Sequence, residues 1–103
     1  MKLAALCRVR FYREAQGMSQ QTLARASGLS RQTIINVEGG KTIPNVLHAM
    51  QIAWALGKSV EEVFYRVPAT HLLDPRDEAR GIVLIRWPKV RKPAVVREWG
   101  LNE

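Results

Sequence analysis

The side chains in this chain best suited to recognition chemistry lie between Ser19 and Lys41, in the stretch SQQTLARASGLSRQTIINVEGGK. At helical spacing, Ile34 and Val37 share one inward face, and Arg31, Gln32, Ile35 and Asn36 are left on the outside. An arginine can fork onto the two acceptors of a guanine edge, and Gln or Asn can pair donor and acceptor with adenine. A branched apolar side chain such as Ile35 has a natural counterpart in the thymine methyl. Arg31, Gln32 and Asn36 alone would also suit an ordinary solvated helix face, but solvation does not explain an outward Ile. Gln20, Ser30, Thr33 and Lys41 flank this set as candidate phosphate holders, with Gln20 at the positive N-terminal end of its helix.

The elements that must position these residues follow from local signals. Ser19 is a good N-cap for a helix from Gln20 to Ala26, and Ser27-Gly28 ends it, the glycine supplying a left-handed turn. Ser30 then caps a second helix from Arg31 to Glu38. Together they predict a helix-turn-helix whose second member is a candidate recognition helix. An N-terminal helix is expected from about Leu3 to Ala15, with Val9 and Tyr12 facing the core and a surplus apolar stripe at Leu3, Cys7 and Phe11. Pro44-Asn45 opens a fourth helix, Val46 to Leu56, ended by Gly57. Ser59 with Glu62 forms a capping box for a short fifth helix carrying Val63 and Phe64.

The chain has 103 residues, 47% of them hydrophobic, which suits one small domain with an appendage. Its net charge is +7, with eight Lys/Arg against four acids in residues 1–65 and eight against five in residues 66–103. Such a balance favours a polyanion, and the motif selects duplex DNA among the polyanions. Apolar runs are too short to span a membrane, and Arg8 and Arg10 interrupt any signal-peptide core after the first residues. One cysteine, Cys7, forbids an internal disulfide and suits a reducing cytoplasm; it reads as a small buried hydrophobe.

Beyond Val67-Pro68 the composition changes. Asp74-Pro75 suggests the cap and first position of one or two helical turns reaching Arg80. Gly81 to Trp87 is rich in β-branched and aromatic residues and reads as a strand, and Ala94 to Trp99 as a second one after a basic turn. A two-stranded hairpin is marginal alone in water and needs a partner surface. The expected organisation is therefore a helix-turn-helix domain at 1–66, a linker with a short helix at 67–80, and a strand or hairpin arm at 81–103.

No phosphate-binding glycine loop, zinc-spaced Cys/His set or catalytic triad occurs, so no enzyme, metal or cofactor is expected. His48 and His71 lie on different segments, and Glu61 and Glu62, as helix neighbours, cannot face each other.

From about Leu6 to Phe64 the sequence resembles the Xre family, the lambdoid phage repressor and Cro class of DNA-binding domains. The matching words are Arg13, Gly17-Met18-Ser19-Gln20, Leu23-Ala24, Gly28-Leu29-Ser30, Ile34, Glu38, Gly40-Lys41, Pro44, Ile52-Ala53, Leu56-Gly57 and Ser59-Val60-Glu61-Glu62-Val63-Phe64. Gly39 departs from the polar residue usual there, often Asn, and removes one candidate phosphate contact. The resemblance implies a mainly α fold: a five-helix, repressor-like helix-turn-helix domain, here followed by a short C-terminal β-hairpin or extended arm. It also implies an inward ion pair between Arg13 and Glu38, joining the first helix to the end of the third. Leu47 and Trp54 stand two turns apart at positions the family usually keeps polar, so they mark an apolar face for a subunit or for the chain's own arm. Ile82, Leu84 and Trp87 are the corresponding candidates on the arm. The leading expectation is a cytoplasmic transcriptional regulator, a repressor that binds a palindromic operator in double-stranded DNA as a homodimer. The alternative is an antitoxin whose arm binds a toxin while the N-terminal domain regulates its own operon. An interaction module without DNA binding is the third reading.

Overall fold

The computed structural model describes residues 3–86. Strand β1 (Leu3–Cys7) leads into helix α1 (Val9–Ala15), then α2 (Gln20–Ser27), α3 (Arg31–Glu38), α4 (Val46–Leu56) and α5 (Val60–Val63). Strand β2 (Phe64–Pro68), helix α6 (Pro75–Ala79) and strand β3 (Val83–Arg86) follow. The fold is thus mainly helical, with six helices and one three-stranded antiparallel sheet among the described residues.

Helices α2 to α5 begin where a polar side chain caps them. Ser19, Ser30, Asn45 and Ser59 each accept an N–H from their own first turn. At α5 the Glu62 carboxylate also accepts the Ser59 N–H, at 2.9 Å, completing the capping box. That bond holds the exposed Glu62 carboxyl below its ordinary value of 4.5. Leu23 of α2, Ile34 and Val37 of α3 and Ile52 of α4 interlock in the main core, each no more than 1% exposed. Burying such a side chain stabilises the fold by roughly 1.5–3 kcal/mol.

The N-terminal segment departs from the expected helix. The segment expected to begin a helix at Leu3 is instead the central strand of the sheet, whose order is β2-β1-β3. Ala5 pairs with Arg66 on one side and Ile85 on the other. Both faces of β1 are covered: Cys7 joins the helical core, whereas Ala4 and Leu6 join a second cluster with Val67, Ile82, Phe11 and Leu84. Cys7 and Phe11 therefore do not form one stripe. A central strand buried on both faces shows no alternation, so its apolar run is open to a helical reading. Burial raises the Cys7 thiol from 9.0 to about 11, and its Sγ lies 3.6 Å from the Val37 carbonyl oxygen.

The C-terminal strand is anchored on the N-terminal one. Val83–Arg86 pairs antiparallel with β1. The other expected strand, Ala94 to Trp99, lies outside the described residues, as does Trp87. The fifth helix ends at Val63, and Phe64 already begins β2, a strand the sequence reading did not anticipate. Between β2 and β3, Arg86 ties the connection down by donating to the carbonyls of Ala69 and His71, at 3.2 and 3.3 Å. Asp74 caps α6 by accepting the Arg76 N–H.

Candidate nucleic-acid interface

The outward face of α3 is assembled by the two caps and the turn between them. Gly28 takes φ of 75°, reversing the chain between α2 and α3, and Ser30 Oγ accepts the Thr33 N–H at 3.0 Å. With Ile34 and Val37 locked in the core, Arg31 and Gln32 are exposed and Ile35 and Asn36 half-buried on the opposite side. Gln32 Nε2 donates to Asn36 Oδ1 at 3.0 Å, one helical turn on. Two of the four outward residues thus form a linked pair.

Beneath this face lies a buried charge network. Arg13 reaches Glu38 through both Nε and Nη2, the latter at 3.2 Å, and its Nη1 donates to the Met18 carbonyl at 2.8 Å. Arg13 and Glu38 are only 8% and 7% exposed, so α1 is clamped to the end of α3 by a desolvated, bidentate pair. Gln20 completes the network, its Nε2 donating to Glu38 Oε1 at 3.1 Å. The Gln20 side chain is therefore half-buried, held at the first position of α2 by a carboxylate behind it.

The remaining phosphate candidates are arranged differently. The hydroxyls of Ser30 and Thr33 meet at 2.8 Å. One donates to the other, and the second hydroxyl keeps a free hydrogen for an anionic oxygen. Lys41 is exposed just past α3, and its backbone N–H closes the helix end on the Asn36 carbonyl at 2.9 Å. Gly40, between them, stands against the sheet: a Cβ there would meet Val83 Cγ2 at 3.5 Å. The C-terminal strand thus supports the loop that carries Lys41.

Alongside α3 runs a groove of about 860 Å³, lined by Arg10, Arg13, Glu14, Ser19, Gln20, Gln21, Arg31, Ile35, Glu38 and Gly39. It brings Gln20 next to Arg31 and Ile35, and it adds Arg10 and Gln21, which the sequence reading did not single out. Arg10 is paired with Glu14 at 2.9 Å, which strengthens its hold on its proton. Helical spacing offered one signal for Arg10, since it precedes Glu14 by four residues, but its arrival beside α3 depends on tertiary packing.

The apolar candidates fall in two groups. Leu47 and Trp54 on α4 are 64% and 78% exposed, with Met50 between them at 53%. Ile82 is buried and Leu84 half-buried, both within the chain's own second cluster. Among the described residues no group of His, Cys, Asp and Glu is placed to hold a metal ion. No described helix is long and apolar enough to cross a membrane.

Comparison with known proteins matches residues 9–63 to the helix-turn-helix family. A helix-turn-helix-type transcriptional regulator of Methanocaldococcus jannaschii is 39% identical over 57 residues, which cover 55% of this chain and 86% of that protein. A second, from Methanothermobacter thermautotrophicus, is 40% identical, covering 54% and 83%. A third, from Bacillus subtilis, is 34% identical, covering 56% and 88%. The match takes in α1 to α5 and with them the capped turn, the outward face of α3 and the clamp beneath it. The chain belongs to the helix-turn-helix family of DNA-binding regulators.

Proposed function

We propose that the protein is a transcriptional repressor that binds a twofold-symmetric site in duplex DNA as a homodimer. The observation that carries this reading is the outward face of α3, where Arg31, Gln32, Ile35 and Asn36 offer base-reading chemistry beside a groove lined by Arg10 and Gln20. In this reading α3 enters the major groove. Arg31, Gln32, Ile35 and Asn36 meet base edges, while Gln20, Ser30, Thr33 and Lys41 hold phosphates. The names of the relatives, all regulators of transcription, support the role. A homodimer is favoured because one short helix reads few base pairs, and because Leu47, Met50 and Trp54 leave an apolar face on α4 open to a second copy. The same face would equally suit a partner of another sequence, as the antitoxin reading requires.

Two measurements test the proposal together. Selection from a random duplex pool should return two inverted half-sites whose centres lie about one helical turn apart. Sedimentation should give a dimer, and Trp54→Glu should give a monomer with sharply weaker binding to the paired site. A single half-site bound by a monomer would overturn the dimer. Co-purification with a small protein that occupies α4 would favour the antitoxin.

A further inference from the structure

We propose that an apolar groove between the sheet and α4 is the seat of the chain's own Trp87. The groove encloses about 210 Å³, and every residue lining it is apolar. Ala5 and Ile85 contribute from the sheet, and Ile43, Val46 and Met50, all exposed, contribute from α4 and the loop before it. A cavity of roughly 150 Å³ lined by apolar side chains holds a benzene ring, so this one has room for an indole. Strand register supplies the occupant. Ala5 and Ile85 stand opposite each other in the β1–β3 ladder, so their side chains share one face of the sheet. Cys7 and Val83, the neighbouring pair on that face, pack in the helical core. Side chains alternate along a strand, so the next residue of the chain on that face is Trp87. Beyond the last pair, Ala4 with Arg86, β1 still offers Leu3 to meet it. One more step of the ladder, roughly 7 Å along the strand from Ile85, brings the indole to the groove.

The tether decides between this chain and a second copy. Trp87 follows the groove-lining Ile85 by two residues, so its effective concentration at the groove exceeds that of a free partner at ordinary protein concentrations. A tryptophan is among the largest apolar side chains a protein can bury, and in the groove it covers surface otherwise left in water. With Trp87 seated, the apolar surface that α4 keeps for another chain is the side of Leu47 and Trp54.

The test uses the full chain with Trp54→Phe and Trp99→Phe, which leave Trp87 as the sole tryptophan. Its emission should lie well to the blue of free tryptophan, and iodide should quench it several-fold less. Ile43→Glu, a change at an exposed position, should move the emission to the red and restore quenching while circular dichroism stays unchanged. Val46→Glu, also exposed, gives the same readout if Ile43→Glu does not fold. In the otherwise unaltered chain Trp87→Ala should lower Tm by roughly 5–15 °C. Emission like that of free tryptophan overturns the proposal. So does blue-shifted emission that both folded groove variants leave in place, since the ring is then buried elsewhere. An emission that reddens on dilution assigns the groove to a Trp87 from a second copy and overturns the seat within one chain.

Discussion

Helices α2 to α5 each begin at a serine or asparagine that receives an amide of its own first turn, whereas β1 finds its partners only at Phe64–Pro68 and Val83–Arg86. One part of the molecule is determined by neighbours in sequence and the other by neighbours in space. The family match covers the first part, residues 9–63, and stops where the strands begin. Yet the strands are not an ornament on the helices. Cys7 and Ile85 lie in the same core as Leu23 and Ile34, and Val83 supports the glycine before Lys41. The contrast separates how an element is specified from how much it matters to the finished structure.

The largest effect should come from the helical part. Arg13→Ala leaves Glu38 buried without its partner, at a cost of about 3–5 kcal/mol, and it also removes the bond to the Met18 carbonyl. Thermal unfolding should register this as a large drop in Tm, with Arg13→Ala/Glu38→Ala milder than the sum of the single changes. Additive losses would indicate that the pair contributes no coupling.

Next comes the sheet. Leu6 is 5% exposed between β2 and β3 and packs in the second cluster, so Leu6→Ala should cost about 2–4 kcal/mol. If sheet and helices form one cooperative body, helical circular dichroism and amide hydrogen exchange within β1 will register the same loss. Two separate transitions would break the comparison in favour of an independent helical domain.

A smaller loss is expected at Gly81, which takes φ of 87° and lies against the stem of Arg10, where an added Cβ would approach Cδ to 2.6 Å. Gly81→Ala should cost on the order of 1–2 kcal/mol through the left-handed backbone. By displacing Arg10 it should also weaken DNA binding, which a titration at fixed salt measures. Unchanged affinity in a folded variant would separate Arg10 from the DNA.

The smallest effect is at the α5 cap. Because folding lowers the Glu62 carboxyl below 4.5, its contribution is fully present above that value and is lost as pH falls through the lower folded value. Glu62→Gln should therefore flatten the acid side of a Tm-against-pH curve and leave the alkaline side unchanged. An unaltered acid limb would show that the capping carboxylate is not part of the acid loss.

Legibility in the sequence followed the same division. Ser19, Ser30, Asn45 and Ser59 announced their helices because a cap acts within three residues. LAALC did not announce a strand, since a chain segment covered on both faces lacks the alternation by which strands are recognised. Its Leu3 and Cys7 happened to stand four apart, in phase with Phe11 on a helix. Phe64 to Pro68 was hidden for another reason, a capping signal at Ser59 that marks where a helix starts but not where it stops. At the candidate site, the outward set on α3 could be read from spacing alone. The Gln20–Glu38 bond and the approach of Arg10 could not, because they depend on how α1 and α2 converge on α3.

The central place of β1 also sets an order of events. During synthesis the LAALC segment emerges before either strand that will flank it, and its nearest pairing, Cys7 with Phe64, must wait for the whole helix-turn-helix to follow. Its second edge waits longer, until Val83 to Arg86 are made. Contacts this distant in sequence form slowly, since a long loop must close before any of them stabilises the chain. Leu23, Ile34 and Ile52 have partners nearer in sequence, so contact distance predicts that β1 is enclosed after them. Until then an apolar strand stands with both edges unpaired, and that interval is when a nascent chain of this kind is most exposed to aggregation.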